Sequence, residues 1–269
     1  MNINLEGGLK MKIPIFQVDS FANRVFSGNP AAVCPLDYWL DDGQLQSIAS
    51  ENNLSETAFF VNRGDYHQLR WFTPQAEVDL CGHATLATAY VIMKIINPNT
   101  KEVTFGTRSG ELIVKKKGEL FSMDFPMHVP VSCETPKALL DAFNIKPKEV
   151  LASNYYMAVY ESEWEVRELV PYMTLLKELD RIGIIVTAPG DQVDFVSRFF
   201  APAVGIPEDP VTGSAHCTLI PYWAEQLKKS KMVAHQVSKR GGEIFCETKD
   251  NRVIIAGKAI LYMKGSVIF

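Results

Sequence analysis

The sequence predicts an α+β fold of two similar halves, each a sheet wrapped round one apolar helix. Three observations carry this. Short strings recur in the same order about halfway along the chain, each recurrence includes a helix start opened by glycine, and each such helix is followed by strand-like runs. Arg70-Trp-Phe-Thr-Pro74 recurs as Arg198-Phe-Phe-Ala-Pro202, Gly82-His-Ala84 as Gly213-Ser-Ala215, Tyr90 as Tyr222, and Arg108-Ser-Gly-Glu111 as Arg240-Gly-Gly-Glu243. The separation is roughly 130 residues and drifts only upward, as small insertions in a duplicated chain would make it.

Taken in order, residues 13–19 and 32–34 read as strands flanking the Gly28-Asn-Pro30 turn. The ten residues before the second methionine, Met11, read as a dispensable extension. Positions 41–52 form a short helix with Leu45, Ile48 and Ala49 on one face, ended by Asn52-Asn53. Strands at 57–61 and 68–72 lead through a loop to a helix from Gly82 to about Ile96. Between Ala84 and Ile96 only Lys94 is charged, so this helix needs cover on nearly every side. A meander follows at 102–108, 111–117 and 119–125, and the second half repeats it at 243–248, 252–256 and 258–263. Prolines crowd 126–136, which places the division at 127: a first domain of 1–127 and a second of 128–258, with a last strand at 259–269 that crosses back to the first.

Composition narrows the function. With 27 Lys and Arg against 31 Asp and Glu the net charge is −4, which argues against a nucleic-acid partner. The longest mainly apolar stretch, 86–96, falls short of the roughly 20 residues a membrane span requires. The start of the chain lacks a cationic region followed by an apolar one, so the expected location is cytoplasmic. Five cysteines without a Cys-x-x-Cys pair read as free thiols.

The chemistry-bearing residues gather at the repeated glycines. A helix start offers unpaired N–H groups and the positive end of a dipole, which suit a carboxylate, and two halves facing one another would bring both starts into one cleft. Asp79-Leu-Cys81 and Glu208-Asp-Pro-Val-Thr212 precede the glycines, while His83 and Ser214 follow them. Asp79, Thr212 and Ser214 read equally well as simple helix caps. Glu56 enters the apolar run Thr57-Ala-Phe-Phe60 directly after a turn. It is either a solvated strand start or, if desolvated beside Phe59 and Phe60, a proton carrier.

Four ordered motifs, Gln17-Val-Asp-Ser-Phe21 with Gly28-Asn-Pro-Ala-Ala-Val33, Asn53-Leu-Ser-Glu-Thr57, Asp79-Leu-Cys-Gly-His-Ala-Thr85 and Glu208-Asp-Pro-Val-Thr-Gly-Ser-Ala215, span nearly the whole chain. Together they resemble the PhzF-like family of phenazine-biosynthesis isomerases, within the diaminopimelate-epimerase-like fold. The resemblance implies two pseudo-symmetric domains, each a curved, barrel-like mixed sheet around a central helix, with the active site in the cleft between them. It also implies Glu56 as the general acid/base, His83 and Asp209 as its polar partners in a proton relay, and Gly82, Gly213 and Ser214 around the substrate carboxyl group. No metal or organic cofactor belongs to the pattern, and a homodimer does. The phenazine enzyme's own reaction moves a proton between ring carbons of a dihydro-hydroxyanthranilate, which one carboxyl group can accomplish.

Two other functions compete. A two-thiol racemase or epimerase would set Cys81 against a second cysteine, but the matching position is Thr212, and Cys217 lies a turn too far along; Cys81 also reads as a small buried residue. A binding or interaction protein would retain the same groups without turnover. Zinc ligation by Cys81, His83, His216 and Cys217 fits no established spacing.

Overall fold

The computed structural model describes residues 11–269, so the expectation for the first ten residues lies outside it. The chain has a mixed α/β fold, with strands paired in both senses and few helices, and it divides into two compact units. Unit 1 holds the residues up to Phe26, Pro30–Phe121 and Ala259–Phe269, while unit 2 holds Ser27–Asn29 and Ser122–Lys258.

In unit 1, β1 (Lys12–Ser20) and β2 (Asn29–Leu36) precede α1 (Asp42–Asn52). That helix begins where the Asp41 side chain accepts the Gln44 N–H at 2.9 Å, and it ends at Asn53, whose left-handed backbone (φ 48°) returns its N–H to the Ala49 carbonyl. Its buried face, Leu45, Ile48 and Ala49, packs on Ile13, Ile15, Phe59 and Phe72. Then come β3 (Glu56–Asn62), β4 (His67–Phe72), the short β5 (Glu77–Val78) and α2 (Gly82–Tyr90). The sequence predicts one helix from 82 to 96; the structure instead widens it to a π-helix over Val91–Ile96. Four of its six residues, Val91, Ile92, Ile95 and Ile96, are β-branched and so poorer helix formers than the residues before them. Residues 83–89 and 91–93 are all buried, which is the enclosure the missing polar face demands.

The chain continues through β6 (Glu102–Thr107), β7 (Gly110–Lys117) and β8 (Leu120–Pro126). Unit 1 pairs β2 with β3 in parallel, β3 with β4 antiparallel, β4 with β6 in parallel, and β6 with β7 antiparallel. A parallel pair requires a crossover, and α2 with its π extension lies within the one from β4 to β6.

Unit 2 contains a stretch the sequence left largely blank: β9 (Val131–Ser132), α3 (Lys137–Asp141), β10 (Glu149–Ala152), β11 (Tyr156–Val159), α4 (Glu163–Glu168) and α5 (Met173–Leu176). These pieces are too short to show a period, and their apolar residues Leu139, Val166 and Leu176 join a core with Ile184, Val186 and Phe200. Next are β12 (Ile184–Pro189), β13 (Phe195–Ala201), β14 (Ile206–Asp209), α6 (Gly213–Leu227), β15 (Lys231–Gln236), β16 (Gly242–Lys249) and β17 (Arg252–Gly257). Here β11–β12 is parallel, β12–β13 antiparallel, β13–β15 parallel across α6, and β15–β16 antiparallel. The order of pairings is the same as in unit 1. Pro221 inside α6 cannot donate to the Cys217 carbonyl, and the His128 N–H does so instead, at 3.0 Å. The final strand, β18 (Ala259–Ile268), runs antiparallel to β1 from Lys12↔Ile268 to Ser20↔Ala259.

The repeated Arg string has a structural reason in each unit. Arg70 forks onto Glu77 with both contacts at 2.7 Å and lies 5.1 Å from the Phe72 ring centre; Arg198 forks onto Glu208 at 2.7 and 3.2 Å and lies 4.9 Å from that of Phe200. Each arginine thus ties the end of a strand to the short antiparallel strand before the glycine-opened helix.

Candidate active site

In unit 1 the site begins with register. Glu56 opens β3 opposite Ala31, and His83 is the second residue of α2. Both are buried, at 9% and 6% exposure, and His83 Nε2 stands 3.1 Å from Glu56 Oε2, an ion-pair distance without the alignment of a hydrogen bond. Cys81 Sγ is 3.5 Å from His83 Nδ1. Ser20 donates to the His83 carbonyl at 2.7 Å, and Phe21 beyond it is buried in the left-handed region at φ 59°, a strain of about 1–3 kcal/mol for a bulky residue. Burial opposes a charged imidazole, yet the Glu56 carboxyl group beside the ring favours it, and the His83 pKa is held well above the ordinary histidine value. Burial pushes the Cys81 thiol up to about 11, so it is protonated at neutral pH.

In unit 2, Asp209 ends β14 and sits in a network of amides and a hydroxyl. Asn29 Nδ2 donates to Asp209 Oδ1 at 2.8 Å and to the Val211 carbonyl at 2.9 Å, and Thr212 Oγ1 donates to Asp209 Oδ2 at 2.5 Å. Gln236 accepts the Thr212 N–H at 2.8 Å and donates to the Asp209 carbonyl at 2.8 Å. Gly213 and Ser214 open α6 directly after this network, and the Ser214 hydroxyl lies 3.0 Å from the Tyr155 phenol. Asn29 is visible in the Gly-Asn-Pro turn, but nothing local marks Gln236 or Tyr155, whose contacts join residues 24 and 59 positions apart.

The capping alternative can now be weighed. Neither Cys81 before α2 nor Thr212 before α6 makes a side-chain cap hydrogen bond; Thr212 directs its hydroxyl to Asp209, and the exposed Asp79 lies 3.8 Å from Arg108. The first N–H groups of an α-helix have no partner within it, which is why such a start suits an anion. The structure therefore brings Glu56, Gly82 and His83 together in unit 1, and Asp209, Gly213 and Ser214 together in unit 2.

Glu56, Cys81 and His83 place donor atoms of three metal-ligating types within 4.8 Å of one another. All three residues are buried and belong to unit 1. His216 and Cys217 belong to unit 2. His216 Nδ1 lies 2.8 Å from the Thr212 carbonyl, with burial pushing its pKa down to about 4, and burial pushes the Cys217 thiol up to about 12.

Comparison with known proteins adds the following. Residues 18–265 match the family model described as phenazine biosynthesis-like protein. A Pseudomonas aeruginosa protein named as an uncharacterized isomerase is 52% identical over 257 residues, covering 96% of this chain and 99% of its own. The crystal structure of a PhzF-family phenazine biosynthesis protein from Enterococcus faecalis is 48% identical with a TM-score of 0.94, over 96% of this chain and 99% of that one. A probable proline racemase from Agrobacterium radiobacter shares the fold at 10% identity, with a TM-score of 0.63 over 95% of this chain and 92% of that one.

Proposed function

The chain belongs to the phenazine biosynthesis-like family, and from that premise we propose that it is an isomerase that moves a proton on a small carboxylic acid by general acid/base catalysis, without metal or organic cofactor. The observation that carries this reading is the buried Glu56–His83 pair, 3.1 Å apart, at the start of an uncapped helix. In the proposed reaction Glu56 removes a proton from a carbon made acidic by its neighbours and returns it to another position, while the raised pKa of His83 lets the imidazolium offset charge that develops beside it. Gly82, Gly213 and Ser214 bind the substrate carboxylate through helix-start N–H groups and a hydroxyl, and Asp209 acts as the second polar partner.

Among the alternatives, the two-thiol racemase is supported only by the Cys81–His83 contact. At the matching position before α6 the Thr212 hydroxyl is engaged by Asp209, and no thiolate base is available at neutral pH with Cys81 at about 11. A binder without turnover would bind acids and exchange nothing. The decisive measurement is deuterium uptake from solvent into a panel of small cyclic and amino carboxylic acids. Wild type is expected to exchange at least one of them and Glu56→Gln to exchange it about 100- to 10,000-fold more slowly. Unchanged exchange in Glu56→Gln removes the acid/base assignment, and binding without exchange in wild type favours the binder.

A further inference from the structure

The turn between β10 and β11 is fastened along one face of α6. Ser153 Oγ lies 2.8 Å from Thr218 Oγ1 and Tyr155 OH lies 3.0 Å from Ser214 Oγ, and residues 214 and 218 are one helical turn apart. Arg181 donates to the Ser153 carbonyl and holds the turn from behind. The Tyr155 ring meets Phe199 edge-on at 4.9 Å, and Phe199 in turn fills the space above Gly183, where an added Cβ would come within 2.5 Å of the Phe199 ring. The phenol is therefore fixed from three sides at a hydroxyl in the first turn of α6.

We infer that Tyr155 is a positioning residue for carboxylate binding: its phenol holds the Ser214 hydroxyl so that the serine proton points to an anion at the start of α6. This rests on the carboxylate role given to Gly213 and Ser214 above. A serine hydroxyl both donates and accepts, and left alone it turns to whatever is nearest. A phenol O–H is the more acidic partner and acts as the donor, which occupies a serine lone pair and frees the serine O–H for the ligand. Burial raises the Tyr155 pKa, with Cys217 and Asp209 adding to it against the opposing effect of Ser214, so the phenol keeps its proton across the neutral range. Two hydroxyls in series polarise one another, giving a stronger donor than either alone.

The test is calorimetric titration at neutral pH of wild type, Tyr155→Phe, Ser214→Ala and the double variant with benzoate, using benzamide as the uncharged control. Tyr155→Phe retains the ring on Phe199, so its thermal unfolding is expected to match wild type. Its benzoate affinity is expected to fall roughly tenfold with benzamide binding unchanged, and the double variant to lose no more than Ser214→Ala alone. A purely structural role for Tyr155 would weaken both ligands together and overturn the inference. If Ser214→Ala loses benzoate while Tyr155→Phe does not, or if the two losses add, the Tyr155 inference fails and the carboxylate reading stands. If Ser214→Ala binds benzoate like wild type, or wild type does not bind it at millimolar concentration, both fail.

Discussion

His83 and His216 are both buried in the first turn of a glycine-opened helix, and their surroundings push them in opposite directions. His83 lies beside a carboxyl group and is raised; His216 has a carbonyl at Nδ1, and burial lowers it to about 4. A raised histidine contributes stability that is fully present below the unfolded value near 6.5 and is lost as pH rises through the folded value. For a lowered one, stability is present above that value and is lost as pH falls toward about 4. His216 is accordingly expected to weaken the fold as pH falls from about 6.5 toward 4. Ring-proton NMR titration is expected to show one histidine above the ordinary value and one silent down to about pH 4; a His216 resonance titrating near 6.5 would refute the latter. Replacing His216 with Leu should flatten the urea midpoint between pH 6.5 and 4.

At the scale of elements, the Arg–Glu fork before each glycine helix is more than a surface pair. Arg198 and Glu208 have side chains only 11% and 25% exposed, so Arg198→Leu would strand a partly buried carboxylate at a cost of about 3 kcal/mol, measurable as a lower denaturation midpoint. A change within 0.5 kcal/mol would show that solvent takes over the arginine's role. Such devices explain what the sequence reveals. The recurrence of Arg70-Trp-Phe and Arg198-Phe-Phe is visible because one local motif serves the same purpose twice, and α1 is visible because Asp41 and Asn53 mark its ends within the chain. The π turn at 91–96 is hidden, since β-branched crowding suits a strand or a helix equally. Elements between 131 and 189 are hidden because pieces of two to six residues carry no period. In the candidate site the residue types at 56, 83, 209 and 214 can be read directly, whereas the 3.1 Å approach of Glu56 to His83 and the Gln236 bridge arise from sheet register and crossover, which no local pattern encodes.

For the molecule as a whole, no helix among the described residues is long and apolar enough to cross a membrane. Unit 1 takes strands from both ends of the chain: Met11 N–H donates to the Phe269 carbonyl at 2.7 Å and Phe269 N–H to that of Met11 at 3.1 Å, closing the ladder of β1 with β18. Removing residues 259–269 is therefore expected to expose β1 to protease and to abolish slow amide exchange at the β1 positions bonded to β18. Equal protection of β1 in the truncated chain would contradict this. The ladder also sets a timetable for biosynthesis. A ribosome makes β1 first and β18 last, with all of unit 2 in between, so the nascent chain carries an unfinished sheet edge until the final strand emerges. During that interval the edge is open to self-association or to a chaperone, and translation arrest after residue 258 should trap a species with a native-like second unit and an incomplete first.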